Sequence, residues 1–221
     1  MANPKSGAVA AARKKQPPWL WIGVAAVVVV LLAAALVFGG GSGKKSPKVA
    51  AGVEQTRPVT VTGTPLPKLP DSGTDPAVGQ EIPDVAGQSF DGTPVEIRND
   101  GQAKLVLFVA HWCPHCQREV PLLTSYLKSH PLPSGVDLYT VATATSASNP
   151  NYPPSAWLQK VGWKAKTMAD SPDTKAADAF GLPAFPYFVA VDGSGKVVAR
   201  TTGEISTDEF AALAAKALGN R

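Results

Sequence analysis

At 221 residues the chain holds one ordinary domain plus additional segments, and with two cysteines in all, Cys113 and Cys116, it is no disulfide-stapled scaffold. Its net charge of +4 hides an asymmetry: residues 1–48 carry seven basic side chains and no acid, whereas the remainder carries 14 basic and 17 acidic ones. The positive charge therefore belongs to the N-terminal segment, and no basic face points to nucleic acid.

Residues 1–18 form a short basic tail, and residues 19–38 read as a transmembrane anchor. From Leu20 to Phe38 the sequence "LWIGVAAVVVVLLAAALVF" runs 19 residues without a charge. A helix of that length rises about 28 Å, close to the roughly 30 Å hydrocarbon core. Trp19 and Trp21 mark one interface. A cleaved signal peptide has a shorter apolar core followed by a small-x-small site, and "VFGGGSG" is a poor one. Four basic side chains (Lys5, Arg13, Lys14, Lys15) precede the span and three (Lys44, Lys45, Lys48) follow it. That slight bias and the short tail favour a cytoplasmic N-terminus with the long C-terminal part translocated. Residues 39–77, rich in Gly, Pro, Ser and Thr, read as a flexible tether. There are no internal repeats.

From residue 78 to 221 the pattern becomes that of a folded domain. "VGQEIPDVAGQSFDGTPVEI" carries a turn signal at Asp91-Gly92 between short apolar runs, as in an edge hairpin. "AKLVLFVA" (103–110) is a strand covered on both faces. "CQREVPLLTSYLKSH" has helical spacing in Val120, Leu123 and Leu127. "VDLYTVATA" is a second buried strand. "SAWLQKVGW" predicts a short helix capped by Ser155, and "KTMAD" a short strand. "SPDTKAADAF" predicts a helix with Ser171 as cap, Pro172 in the first position and Gly181 at the end. "PYFVAVDGSGKVVARTTGE" is a hairpin, and "STDEFAALAAKAL" a final helix with Ser206 and Glu209 in capping-box spacing. Alternating strands and helices imply an α/β fold with a parallel portion and an antiparallel hairpin at one end.

The chemistry-bearing stretch is "AHWCPHCQREVP", residues 110–121. Tetrahedral zinc needs four ligands, and beyond the cysteines only His111, His115 and His130 remain, without a second ligand pair. Haem attachment needs His directly after the second cysteine, where Gln117 stands. A purely structural disulfide across two residues closes too small a loop to stabilise much. A redox pair explains more. Cys113 sits where a strand ends and a helix begins, and the helix N-terminus favours its thiolate, the attacking species. Pro114 falls in the first turn, where its missing N–H is harmless. His115 adds positive charge beside the thiolate, and Cys116, one turn along, is placed to resolve a mixed disulfide.

This motif resembles the thioredoxin superfamily, with Trp-Cys-x-x-Cys at the start of a helix. Pro121, five residues after Cys116, matches the proline inside that helix, and "GLPAFPYFVAVDGSGKVV" resembles the family's cis-proline segment. The insertion after "VATATS" and the hairpin before the motif resemble the membrane-anchored TlpA/ResA-like branch. The resemblance spans about residues 78–219. It implies a thioredoxin-like α/β fold, with a central mixed sheet flanked by helices, behind a single transmembrane helix. It further implies a thiol–disulfide oxidoreductase that needs no cofactor or resident metal, with Pro186 as the cis-proline facing Cys113 and Cys116. Trp112, Phe185 and Pro186 are expected to line the substrate groove, with Phe185 a bulky residue that narrows it. The implied substrates are cysteine-containing extracytoplasmic proteins. The implied redox partner is a membrane protein, either of the DsbD/CcdA type or a quinone-linked oxidase.

There are departures. Many thioredoxin-like proteins place a buried acid six residues before the first cysteine, where this chain has Leu107. The Pro114-His115 dipeptide is typical of DsbA-like oxidases and predicts a potential more oxidising than that of thioredoxin. His111 reads as a solvent-facing loop residue, with a proton relay to the cysteines as the functional alternative. Tyr152, Trp157 and Trp163 read as packing aromatics of the insertion. A rival from another class is a non-catalytic module of the same fold that delivers copper(I) through its two thiolates. No Met or third cysteine near the motif supports it, and no separate peroxidatic cysteine supports a peroxiredoxin-like activity.

Overall fold

The computed structural model describes residues 52–219; the basic tail, the apolar span at 19–38 and the start of the tether lie outside them. Among the described residues no helix is long and apolar enough to cross a membrane. In chain order the elements are β1 (Thr60–Thr62), β2 (Asp84–Gln88), β3 (Pro94–Ile97), β4 (Ala103–Val109), α1 (Pro114–Ser129), β5 (Val136–Ala142), α2 (Pro154–Lys160), β6 (Lys166–Ala169), α3 (Lys175–Ala179), β7 (Tyr187–Val191), β8 (Val197–Thr202) and α4 (Thr207–Ala217). The result is the expected α/β architecture around a mixed sheet, ordered β1-β2-β6-β5-β4-β7-β8 with β3 paired to β2. β4 runs parallel to β5, and β5 parallel to β6. β7 is antiparallel to β4 and continues into the β7–β8 hairpin.

Every residue of β4 is buried, and alternate side chains serve two cores. Leu105, Leu107 and Val109 join Val120, Leu123, Phe210 and Leu213 beneath α1 and α4. Val106 and Phe108 join Val59, Leu66, Phe180 and Tyr187 on the opposite face. A strand with both faces covered must be apolar throughout, hence the unbroken run. Leu107, at the site of the missing acid, is fully buried in the first core.

Two helix starts differ from expectation. α2 begins at Pro154 with Pro153 as N-cap, two residues before the expected cap Ser155; Pro154 sits in the first turn, where a proline is tolerated best. α3 begins at Lys175 rather than at Pro172, because Ser171 to Thr174 close a turn first. Asp170 caps α3 instead, accepting from the N–H groups of Ala176 and Ala177, while Ser171 Oγ accepts from Lys175 N–H. The expected capping box at Ser206 and Glu209 is present.

The larger correction concerns residues 52–77, which read as tether and belong to the folded domain. β1 pairs with β2, and Val59, Leu66 and Ala77 are buried. Leu66 N–H donates to Ala179 O at 2.9 Å and Leu69 N–H to Gly181 O at 3.1 Å. The buried Arg200 bonds Pro67 O at 2.8 Å and pairs with Asp75. Gly181 makes the approach possible: its φ is +68° and a Cβ there would stand 2.3 Å from Pro67 O. A few well-spaced apolar anchors and one buried ion pair hold this segment, so its average composition misleads.

Candidate active site

β4 delivers the motif to the C-terminal ends of the parallel strands, where the chain turns into α1. Cys113 is the N-cap of α1 (φ −69°, ψ 122°), and Pro114 takes the first helical position, where no backbone N–H is needed. The N-terminal N–H groups and the helix dipole therefore converge beside the Cys113 sulfur. Cys113 Sγ lies 3.8 Å from the carbonyl oxygen of Phe185, to which the thiol donates. The Phe185–Pro186 bond is cis, and Pro186 is buried. Trp112 stands edge-on to Phe185 with ring centroids 5.9 Å apart, and its Nε1–H donates to Ala144 O at 2.8 Å. Thus Trp112, Cys113, Phe185 and Pro186, 72 residues apart at the Cys113–Phe185 contact, meet in one place.

Both cysteines are free thiols. Cys116 is fully buried on the α1 stripe. Burial, foremost, and then the negative charge of a Cys113 thiolate push its thiol far above the ordinary range, against the partial relief of the Ala110 backbone.

Sequence reasoning missed Glu119. It is 1% exposed and lies three residues beyond Cys116 on the buried face of α1. Neither carboxylate oxygen has a hydrogen-bond partner. Burial raises the carboxyl to about 7, the Ile205 backbone offsets this in part, and Glu204 and Glu209 add to it. The signal was available: 116, 119, 120 and 123 form a stripe, and an acid within it is anomalous.

His111 is corrected. It is 1% exposed, and both ring nitrogens are committed to the β5–α2 loop. Nδ1–H donates to Pro150 O at 2.7 Å, and Nε2 accepts from Ser146 N–H at 3.2 Å. No ring nitrogen remains for a proton relay. Burial holds its pKa below the ordinary histidine value. The His111 carbonyl accepts from Gln117 Nε2 at 3.2 Å and Asn151 Nδ2 at 3.4 Å. The "SNPNYPPS" loop is thereby fastened next to the motif. Trp157 and Trp163 are buried packing residues, as expected, and Trp163 Nε1–H bonds Thr140 Oγ1.

His115 is exposed, and its Nδ1 lies 2.6 Å from Glu204 Oε1. Arg118 reaches the same carboxylate through Nε (3.0 and 3.1 Å) and Nη2 (2.5 Å). The positive charge expected of His115 thus has a counter-ion 89 residues away, which no local reading reveals.

The redoxin family profile matches residues 77–216, which contain every element from β2 to the last turn of α4. The chain belongs to the redoxin family. It is 30% identical over 145 residues to the thiol:disulfide interchange protein DsbE homolog of Paracoccus denitrificans, covering 64% of this chain and 75% of that protein. It is 26% identical over 134 residues to the thiol:disulfide interchange protein HelX of Rhodobacter capsulatus, covering 59% and 70%. Among solved structures, a thiol:disulfide interchange protein of the thioredoxin family from Chlorobium tepidum is 25% identical, with a TM-score of 0.53 over 64% of this chain and 97% of that one. This redoxin has a thioredoxin-like fold and is a protein thiol–disulfide oxidoreductase.

Proposed function

We propose that this redoxin is a single-pass, membrane-anchored enzyme that exchanges disulfides with extracytoplasmic proteins through Cys113 and Cys116. The observation that carries the reading is the placement of Cys113: N-cap of α1, its sulfur facing the Phe185 carbonyl at the cis-proline turn. The helix N-terminus favours its thiolate, and the Phe185–Pro186 backbone lies within reach of an extended substrate strand.

The Cys113 thiolate attacks one sulfur of a substrate disulfide; the Cys113–substrate S–S bond forms, the substrate S–S bond breaks, and one substrate thiolate leaves. Cys116 stays protonated until then, because its burial disfavours the charged form. Glu119, with a carboxyl near neutrality, takes the Cys116 proton, and the new thiolate attacks Cys113, releasing the second substrate thiol. Two protein thiols are oxidised and one substrate disulfide is reduced; run backwards, the same steps oxidise a dithiol. Trp112 and Phe185 flank the reacting sulfur and shape what approaches it. The apolar span at 19–38 supplies the anchor, and a membrane protein of the DsbD/CcdA type or a quinone-linked oxidase renews the cysteine pair.

The test is trapping. Cys116→Ser leaves an attacker without a resolver, so it should accumulate mixed disulfides with substrate proteins that dithiothreitol releases, while Cys113→Ser should form none and lose exchange activity. Activity retained by Cys113→Ser would sink the reading.

A further inference from the structure

The loop from β8 to α4 is tied to the cis-proline turn: Gly203 N–H donates to Pro186 O at 2.9 Å, and Thr202 Oγ1 bonds Ala184 O and Pro186 O at 2.9 and 3.1 Å. Gly203, with φ +90°, turns the chain so that the next residue, Glu204, faces the start of α1. One carboxylate there is shared by an imidazole and a guanidinium. His115 Nδ1 is 2.6 Å from Oε1, Arg118 binds both oxygens, and Arg118 Nη2 stands 3.0 Å from His115 Nδ1. Arg118 and, once protonated, His115 stand side by side, five and two residues beyond the reactive cysteine, and repel each other unless an anion is shared between them.

Resting on the reading of Cys113 as the attacking thiolate, we infer that Glu204 is a positioning residue that sets the redox potential by sequestering Arg118 and His115 from Cys113. Without it, the guanidinium and a protonated imidazole would act on the thiolate together with the helix N-terminus, and Pro114-His115 would give a strongly oxidising pair. With it, most of that charge is compensated at the rim. Arg118 is within electrostatic range of Cys113: the thiolate contributes to holding the guanidinium protonated, and by reciprocity the guanidinium favours the thiolate. Glu204 is anionic throughout the working range, its carboxyl held at about 2 by Arg118 and then His115. The other groups that face this corner, Cys116, Glu119 and Glu209, add no cation.

His115 and Arg118 are 57% exposed and Glu204 35%, so water screens the effect to a few-fold. The experiment uses the full-length chain in detergent, equilibrated with glutathione redox buffers as wild type, Glu204→Gln, Arg118→Gln and the double variant. In parallel, the Cys113 thiolate is titrated by its ultraviolet absorbance in a Cys116→Ser background. Glu204→Gln should lower the thiolate pKa and shift the equilibrium three- to tenfold toward the reduced protein, roughly 15–30 mV more oxidising by the two-electron relation. Arg118→Gln should move both readings the other way, and Glu204→Gln should have less than half its effect in the Arg118→Gln background. An unchanged potential in Glu204→Gln, or a shift of equal size with and without Arg118, would overturn sequestration. A wild-type chain that exchanges nothing with glutathione would instead overturn the assignment of Cys113, a separate result from an active enzyme indifferent to Glu204.

Discussion

Glu119 and Cys116 lie one helical turn apart on the buried face of α1, the acid raised to about 7 and the thiol pushed far above its usual range. Each disfavours the ionised form of the other, so one proton suits the pair better than none. Resolution requires that the proton leave Cys116, and Glu119 is the titratable neighbour placed to take it. Glu119→Gln should therefore slow resolution about tenfold or more while initial attack by Cys113 is spared, so the mixed disulfide accumulates. In wild type the resolving step should rise with pH through about 7, as Glu119 ionises; the variant should lose that limb. Single-turnover kinetics with a disulfide peptide across pH 5.5–8.5 checks both.

The same residue makes a stability prediction of opposite sense. A carboxyl whose folded pKa is raised binds its proton more tightly in the folded state. Its contribution is intact below the unfolded value, near 4.5, and is lost as pH rises through about 7. Glu119→Gln should thus be more stable than wild type at pH 8, by about 1–3 kcal/mol, and close to it at pH 4.5. Urea melts at the two pH values measure the difference.

His111 predicts the reverse dependence. Its folded pKa is lowered, so the unfolded chain takes up a proton first as pH falls, and stability declines below about 6.5. Protonation of Nε2 also removes the acceptor for Ser146 N–H. The protection factor of the Ser146 amide, with the intrinsic slowing of exchange toward acid divided out, should fall between pH 7 and 5 in wild type. His111→Ala should cost about 1–3 kcal/mol at pH 7.5, since it leaves Pro150 O and Ser146 N–H without their partner, and should flatten the acid decline.

Gly181 tests the seating of residues 52–77. Gly181→Ala places a Cβ against Pro67 O at a left-handed backbone position, and should destabilise by about 1–3 kcal/mol. Limited proteolysis should then cut between residues 63 and 70 well before it cuts strands β4 to β8; a digestion pattern like that of wild type would mean that the segment does not depend on this contact.

Membrane topology is tested in intact cells. A thiol reagent that cannot cross membranes should label Cys113 after mild reduction, because the basic tail before the span favours translocation of the domain. Labelling that appears only on lysis would place the domain on the other side.

The order of strands and helices was readable because periodicity is local: β4 is apolar throughout, α1 repeats its buried residues every three or four positions, and Ser206 and Glu209 form their box within one turn. Cys113, Trp112 and Pro186 were legible for a different reason, their resemblance to a known motif. What escaped depends on distance in the chain. Glu204 meets Arg118 across 86 residues and Arg200 meets Asp75 across 125, and neither pairing leaves a mark in any window of sequence. His111 misled because an imidazole with two backbone partners can be buried whole. Glu119 was readable and overlooked, since Arg118 and Gln117 beside it make the stretch look solvent-facing.

The struts that hold the motif against the β5–α2 loop end on main-chain atoms: Trp112 on Ala144 O, His111 on Pro150 O and Ser146 N–H. Residues 147–149, between these anchor points, are exposed. Backbone groups are the same whatever the side chain, so positions 147–149 are free to change while the cysteines keep their frame, whereas Asn151 is held by its own side-chain bond to His111 O. The exposed side chains of Ala147, Ser148 and Asn149 can therefore vary without disturbing the main-chain bonds that seat the cysteine motif.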